Sequence, residues 1–263
     1  MGAESGGKPP SNWNDYRKPP PPPDGPPYRR LIAIGITIAI GIGLWLLSQP
    51  TRYSTGVGQT LTLSLPGGSR VILNTNTTIT FKPDPSTPRI DLQKGEILCD
   101  LVENPSRHLS VYVNGNRITD TGTNFSVKWT KTGAIVVVRA GTVRLSGARR
   151  PESELVQNQE ADVESDDAVI IKLSAEEVRR KLMWQYGRLE FQLDRLPNAV
   201  KELNRYSKVQ IQIADPDIAN LKVSGSVNLS DPINAFKQLT PGLGWQIEQN
   251  ADGEAVWMVR KAR

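Results

Sequence analysis

This 263-residue chain has few side chains of the kinds that most often serve as nucleophiles, general bases or metal ligands. It contains a single cysteine, Cys99, and a single histidine, His108. Clustered cysteine and histidine ligands for zinc are therefore excluded, and Cys99 has no partner in the chain for a disulfide. The sequence has no phosphate-binding loop, paired-carboxylate site or nucleophile elbow. We expect His108 to lie in a loop and Cys99 to be a small core residue. No metal, no cofactor and no enzymatic activity other than self-cleavage are predicted.

The bond between Gly122 and Thr123 is the strongest candidate for chemistry. Glycine permits a strained backbone and leaves its carbonyl carbon open, while the threonine hydroxyl supplies a nucleophile. Attack of the Thr123 hydroxyl on the Gly122 carbonyl is an N→O acyl shift, which gives an ester that water then hydrolyses. The alternative is structural, with Gly122 beginning a strand after a tight turn and Thr123 packing as a β-former.

An uncharged apolar run, LIAIGITIAIGIGLWLL, occupies residues 31–47. It is just long enough to cross the hydrocarbon core, which takes roughly 17–25 residues. It exceeds the usual apolar region of a signal peptide and no small-x-small cleavage site follows it, so we predict one uncleaved transmembrane helix. The basic residues that precede the run place the N-terminus in the cytoplasm by the positive-inside rule. These are Arg17, Lys18, Arg29 and Arg30.

Residues 1–30 form a proline-rich tail that includes an unbroken proline run at residues 19–23. Proline fixes φ and lacks a backbone donor, so we expect polyproline II or disorder here rather than a helix or central strand. Trp13 and Tyr16 are candidate anchors for a cytoplasmic protein partner, because aromatic anchors in disordered tails often mediate recognition. The alternative is that the tail is a stiff spacer.

Residues 51–150 contain short runs that alternate apolar and polar side chains, such as TLTLSL at residues 60–65 and NFSVKW at residues 124–129. Glycine, proline and asparagine turn signals separate these runs. Strands at this spacing predict an all-β domain, either a sandwich or a β-roll.

Residues 151–187 are predicted to be an acidic linker followed by a helix, whose start is marked by the capping-box sequence Ser174 to Glu177. Residues 188–263 then read in the order β-α-β-β-α-β-β, which predicts a small α+β module. Its second helix is expected to start at Asp231-Pro232, an N-cap followed by a proline.

The formal net charge is +5, with lysine and arginine scattered among aspartate and glutamate rather than gathered in a stripe. This pattern argues against nucleic acid as a partner. The arginine and aspartate residues of residues 188–263 are interpreted as mostly a solvated face. If this region meets a protein partner, strand addition along an exposed edge is the natural mode.

Five short motifs follow one another within residues 51–150. They are VGQ at residues 57–59, LTLSLPGGSRVILN at 61–74, KGE at 94–96, GTNF at 122–125 and AGTVRL at 140–145. In this order they resemble the FecR family of transmembrane signal regulators, in which the second motif usually reads LxLxDGSxVxLN. The region from Trp184 onward resembles the family's C-terminal half, which is related to the short N-terminal signalling module of secretins and TonB-dependent receptors.

The resemblance implies a single-pass protein of a bacterial inner membrane with its C-terminal domains in the periplasm. The outer region would sense an outer-membrane TonB-dependent transducer or another envelope protein. The cytoplasmic tail would then control an extracytoplasmic-function sigma factor. Some members of the family are thought to cut themselves at the Gly-Thr bond that corresponds to Gly122–Thr123.

The chain departs from the family in two ways. It lacks the usual longer, tryptophan-bearing cytoplasmic segment, and the aspartate of the family's DGS turn is replaced by Gly67. Two alternatives to a sigma-factor regulator therefore stay open. One is an envelope scaffold or adaptor whose tail is only a spacer, and the other is a self-cleaving switch whose function depends on cutting at Gly122–Thr123.

Overall fold

The computed structural model of the chain divides into two compact units, Met1–Leu47 and Ser48–Arg263. The residues it describes are 2, 28–47, 49–103, 108–120, 122–147, 151–164, 167–249 and 255–261. The candidate anchors Trp13 and Tyr16 lie outside these ranges.

Helix α1 spans Tyr28–Leu47 and contains the apolar run predicted at residues 31–47. Its isoleucine side chains are exposed along the helix, among them Ile32, Ile36 and Ile40. Among the described residues, no helix is both long enough and apolar enough to cross a membrane.

Within the described residues, the second unit begins with fourteen β-strands. They are β1 (Thr51–Ser54), β2 (Leu61–Ser64), β3 (Arg70–Leu73), β4 (Thr78–Lys82), β5 (Arg89–Lys94), β6 (Glu96–Asp100), β7 (Ser110–Val113), β8 (Asn116–Asp120), β9 (Asn124–Trp129), β10 (Gly133–Ala140), β11 (Thr142–Gly147), β12 (Ser153–Val156), β13 (Gln159–Glu164) and β14 (Ala168–Lys172).

These strands form two seven-stranded sheets that enclose one apolar core. The first sheet has the order β1-β4-β5-β7-β8-β11-β12, and the second has the order β14-β13-β10-β9-β6-β3-β2. Fully buried side chains from both sheets, such as Ile90 and Ile118 of the first and Leu73 and Phe125 of the second, belong to the same core cluster. The prediction of an all-β domain is confirmed, and its architecture is a β-sandwich.

The structure differs from the acidic linker predicted within residues 151–187. Strands β12, β13 and β14 lie within that segment and complete the two sheets. Along β13 the buried Ala161 and Val163 alternate with acidic residues that point away from the core. Because acidic residues are so frequent in this segment, the alternation of buried and exposed positions was not recognised in the sequence. Helix α2 (Ala175–Lys181) follows, with the expected capping box at its start.

A 3-10 turn at Met183–Tyr186 leads into the C-terminal module, residues 188–263. Its elements are β15 (Arg188–Arg195), α3 (Leu196–Leu203), β16 (Gln210–Ile213), β17 (Lys222–Asn228), α4 (Pro232–Leu239), β18 (Leu243–Gln249) and β19 (Ala255–Lys261). This is the order that the sequence predicts, apart from an additional 3-10 turn at Pro216–Asn220. The Asp231 side chain caps α4 by accepting a hydrogen bond from Asn234 N.

The C-terminal module packs directly on the outer face of the second sheet. Leu98 of β6 and Val137 of β10 point away from the sandwich core, yet they are 0% and 4% exposed. Both belong to the same apolar cluster as Trp184, Leu189 and Leu203. Two strands of the sandwich therefore bury side chains on both of their faces, and the module is joined to the sandwich by a shared apolar layer.

Candidate functional site

A chain of alternating charges crosses the joint between the sandwich and the C-terminal module. Glu96 begins β6, and its partner across the β6–β9 ladder is Lys128. Glu202 lies on α3, and Arg205 follows that helix. Arg205 Nη2 lies 2.5 Å from Glu96 Oε2, its Nη1 pairs with Glu202, and Lys128 Nζ lies 2.9 Å from Glu202 Oε2.

Neutral hydrogen bonds extend this cluster into the turn after β3. The fully buried Asn74 donates through Nδ2 to Glu96 Oε2 at 2.9 Å and to the Tyr206 hydroxyl at 2.8 Å. The Thr75 hydroxyl donates to the Arg205 carbonyl at 2.9 Å and accepts from Gly58 N at 2.8 Å. These interactions bring together residues from three separate sequence motifs, namely Gly58 of the VGQ, Asn74 at the end of the motif at residues 61–74, and Glu96 of the KGE.

The electrostatics of the joint favour the charged forms of Glu202 and Arg205. Burial pushes the pKa of Glu202 upward, but the charges of Arg205 and Lys128 outweigh burial and hold the pKa below its usual range. Burial acts to lower the pKa of Arg205, and the carboxylates of Glu96 and Glu202 raise it overall. Burial also raises the pKa of Tyr206 far above its usual value, so this phenol stays neutral and acts only as a hydrogen-bonding group.

Arg205 therefore corrects an interpretation drawn from the sequence. The charged residues of the C-terminal module were interpreted as mostly a solvated face, whereas the Arg205 side chain is only 20% exposed and bridges two carboxylates. Arginine presents several donors in a planar fork, so a single residue can hold both glutamates. The sequence carried one usable signal for this contact, the position of Arg205 one turn after Glu202 on a predicted helix.

The predicted cleavage bond lies in a second buried cluster, between β8 and β9. Gly122 has a φ of +94°, and a Cβ at this position would lie 2.8 Å from Glu103 Cγ and 3.0 Å from Glu103 Cα. Only glycine fits this backbone comfortably. Thr123 is 2% exposed, and its carbonyl accepts a hydrogen bond from Leu101 N at 3.1 Å.

Asp120 is the residue of this cluster that sequence reasoning missed. Its Oδ1 accepts hydrogen bonds from the Thr123 hydroxyl and, at 2.8 Å, from Gly122 N. Burial raises the pKa of Asp120, and the hydrogen bonds from Thr123 and Gly122 only partly offset this rise. A carboxyl with a raised pKa in contact with a hydroxyl is suited to accept its proton. The signal in the sequence was an acid three residues before the threonine.

His108 and Gly141 complete the surroundings of this bond. His108 Nδ1 lies 3.1 Å from the Asp120 carbonyl oxygen, so the predicted loop histidine contacts the cluster. A Cβ on Gly141, which has a φ of +83°, would lie 2.5 Å from Thr123 Cγ2 and 3.0 Å from the Gly122 carbonyl oxygen. The Gly122–Thr123 bond is therefore enclosed by backbone on several sides.

The described residues offer neither a reactive thiol nor a cluster of metal ligands. Cys99 is fully buried, and both burial and the Asp120 charge raise the pKa of its thiol, which makes it unreactive. No group of three or more histidine, cysteine, aspartate or glutamate residues within the described ranges could hold a metal ion.

Comparison with known proteins gives a family for the sandwich. Residues 51–144 match the FecR protein family. No curated protein matches the chain. Two crystal structures, each of a candidate anti-sigma factor from Parabacteroides distasonis ATCC 8503, have similar folds. The structure at 1.65 Å resolution is 19% identical, with a TM-score of 0.63, and the match covers 81% of this chain and 100% of the other. The structure at 2.50 Å resolution is 18% identical, with a TM-score of 0.62, and the match covers 82% and 100%.

The first prediction concerns the contribution of Arg205 to stability. Arg205→Met leaves Glu96 without its cation in a buried site, so we expect the free energy of unfolding to fall by about 3 kcal/mol. Arg179→Met is the matched control, because Arg179 also bridges two glutamates but its side chain is 47% exposed. The control should lose much less stability, because water weakens an ion pair at an exposed position. Urea unfolding followed by tryptophan fluorescence measures both, and equal losses would contradict a buried joint.

The second prediction concerns pH and Glu202. A carboxyl whose pKa is lower in the folded than in the unfolded state adds stability above its unfolded pKa of about 4.3, and this stability is lost as the pH falls through the folded value. Wild type should therefore be more stable than Glu202→Gln at pH 7 by about 2 kcal/mol, with the difference closing as the pH falls below about 4.3. Urea unfolding at a series of pH values tests this.

Glu154→Gln, an exposed position on β12, is the control for the pH series and should match wild type throughout. A difference between wild type and Glu202→Gln that stays constant down to pH 2 would show that the charge of Glu202 is not what stabilises the joint.

Proposed function

The chain belongs to the FecR family through its domain at residues 51–144, and from this premise we propose that it is a transmembrane signal-transduction regulator that controls an extracytoplasmic-function sigma factor. The observation that carries the proposal is the joint at Glu96, Arg205 and Glu202, where motif residues of the FecR domain bind the C-terminal module. The similarity of the fold to the two candidate anti-sigma factor structures also supports control of a sigma factor. In this proposal the two modules respond to a partner as one body.

The outer partner is a TonB-dependent transducer or another envelope protein, and the C-terminal module is the part that meets it. Leu193 is 64% exposed and has a φ of +55° at the bulge in β15. A leucine held in the left-handed region is uncommon, and such strained positions cluster at functional sites. Leu221, directly before β17, is also exposed. Exposed apolar side chains of this kind support a protein contact rather than a small-molecule site.

The signal crosses the bacterial inner membrane through residues 31–47, with the tail in the cytoplasm and the sandwich in the periplasm. The absence of charge from this run supports the assignment. The basic residues before it support the orientation. In the tail, Trp13 and Tyr16 are the proposed anchors for the sigma factor.

The third prediction tests the sigma-factor partner. The full chain, crosslinked in membranes and recovered by affinity, should carry an extracytoplasmic-function sigma factor identified by mass spectrometry. The double variant Trp13→Ala with Tyr16→Ala should lose it, because the aromatic anchors supply most of the contact energy. The double variant should still sediment with the membranes.

The control for this experiment is Leu193→Ala, which alters the periplasmic side and should retain the sigma factor. Recovery of envelope proteins alone from wild type would overturn control of a sigma factor and leave the envelope scaffold as the function. Recovery of the chain in the soluble fraction would overturn the membrane topology.

A second candidate function, a self-cleaving switch, is favoured by the hydrogen bond from the Thr123 hydroxyl to Asp120 beside a left-handed Gly122. Asp120 accepts the hydroxyl proton while Thr123 Oγ1 attacks the Gly122 carbonyl carbon. The Thr123 nitrogen takes up a proton as the C–N bond breaks, which leaves an ester between the two residues. Water hydrolyses the ester to a Gly122 carboxylate and a new N-terminal Thr123, so no other reactant is needed.

The fourth prediction tests this cleavage. Mass spectrometry of the purified chain should find a fragment that begins at Thr123. Thr123→Val keeps the shape of the side chain but removes the hydroxyl, so it should abolish this fragment. Thr123→Ser keeps the hydroxyl and should still produce it. Asp120→Asn should slow cleavage by about 10²-fold or more, because it removes the proton acceptor. Folded wild-type chain that stays intact on prolonged incubation would show that Gly122 and Thr123 form only a structural turn.

A further inference from the structure

The end strand β14 of the second sheet has an unusual composition for an exposed edge. It pairs with β13 on one side and ends the sheet order. Its three central residues, Val169, Ile170 and Ile171, are large and apolar and are 60%, 39% and 47% exposed. Natural proteins usually protect sheet edges with charge, proline or bulges. In this protein the end strands of the first sheet, β1 and β12, each contain a charged residue, whereas the centre of β14 contains none.

The hydrogen bonds of the β13–β14 ladder establish which backbone groups face the open edge. Glu164 N donates to the Asp167 carbonyl, and Leu173 N donates to the Asn158 carbonyl, each at 2.9 Å. Hydrogen-bonded pairs alternate along an antiparallel ladder, so the odd-numbered residues of β14 bond to β13. The backbone groups of Ala168, Ile170 and Lys172 therefore point outward. This set is symmetric about Ile170.

We propose that β14 pairs with β14 of a second copy of this chain, antiparallel and with Ile170 on the twofold axis. Ile170 then exchanges both backbone hydrogen bonds with its symmetry mate, and Lys172 N meets the Ala168 carbonyl of the other copy. The Ala168 N–H already donates a hydrogen bond to Asp167 Oδ1 at 2.7 Å. The hydrogen-bonded region is therefore centred on Ile170 and extends to Lys172.

The side chains of β14 suit this register. Val169 of each copy lies opposite Ile171 of the other on one face, and the two Ile170 side chains meet on the other face. Both contacts are apolar pairs directly across the strands, which stabilise a sheet. Asp167 at the start of the strand lies at the same end as Lys172 of the second copy, so opposite charges flank the apolar centre. A second copy supplies the matching spacing by symmetry, whereas an unrelated strand would have to reproduce it.

The surface buried by one five-residue strand is smaller than that of a standard interface. Interfaces of this size belong to weak complexes, so we expect a dissociation constant on the order of 10 μM. The two second sheets would then continue through the contact as one sheet, and an open edge would no longer be presented to solvent.

Cysteine crosslinking of the full chain in detergent tests the register. Ile170→Cys should form a disulfide-linked dimer under mild oxidation, because the Cα atoms of a hydrogen-bonded pair are about 5.5 Å apart and a disulfide spans this distance. Val156→Cys, exposed on the edge strand β12 of the other sheet, is the matched control and should stay monomeric. Wild type should also stay unlinked, because its Cys99 is fully buried.

Sedimentation of the full chain in density-matched detergent tests the dimer without a crosslink. Ile170→Lys places two like charges on the twofold axis and should shift the chain to a monomer, whereas Val156→Lys should leave the mass unchanged. Wild type and Ile170→Lys of equal mass well above 10 μM would overturn the proposal, since a dimer formed through α1 alone is unaffected by residue 170. Exclusive crosslinking of Ile170→Cys to a different envelope protein would also overturn it in favour of a heterologous strand. Neither result depends on the sigma factor.

Discussion

The buried ionic contact of Arg205 with Glu96 and Glu202 is the interaction on which the arrangement of the sandwich and the C-terminal module depends. A charge taken out of water is costly unless its partners are close and well oriented. The sandwich supplies Glu96 and Lys128, and the C-terminal module supplies Glu202 and Arg205. Neither module could bury its own share of these charges without the other. The contact therefore makes the two modules mutually dependent, and it does so in a single relative orientation.

Apolar burial and ionic pairing contribute differently to this joint. Leu98 and Val137 on the outer face of the second sheet, together with Trp184, provide apolar area, which stabilises without strong directional preference. Apolar layers alone tolerate alternative packings of similar volume. The hydrogen bonds of Asn74 to Glu96 and to Tyr206 remove that freedom, because each is satisfied in one geometry. The family motifs in this region are thus explained by the joint, in addition to the turns that they form.

Strands could be predicted where apolar and polar side chains visibly alternate along the sequence, and they were missed where closely spaced acidic residues hid this alternation. NFSVKW became β9 as expected, whereas β13 was interpreted as linker because every second residue is acidic. The candidate bond Gly122–Thr123 could be located from the types of its residues. The role of Asp120 beside that bond, and of Arg205 at the joint, could not be predicted, because each depends on burial and on contacts that bring distant segments together. Arg205 and Glu96, for example, are separated by 109 positions in the chain.

The two candidate sites are the ends of one structural element. In the β6–β9 ladder, Glu96 pairs with Lys128 at the joint, and Asp100 pairs with Asn124 next to Thr123 at the other end. Five paired residues are separated by four steps of about 3.4 Å, which span roughly 14 Å, and an antiparallel ladder of this length does not bend freely. A partner that displaces the joint therefore acts on β9, the strand that Thr123 directly precedes. The neighbouring ladder has its irregularity between Val138 and Ala140, opposite Asn124. A shift of β9 can be taken up by a change of backbone conformation at this bulge. A displacement of the joint therefore reaches Thr123 only if β10 keeps its conformation at the bulge and moves together with β9.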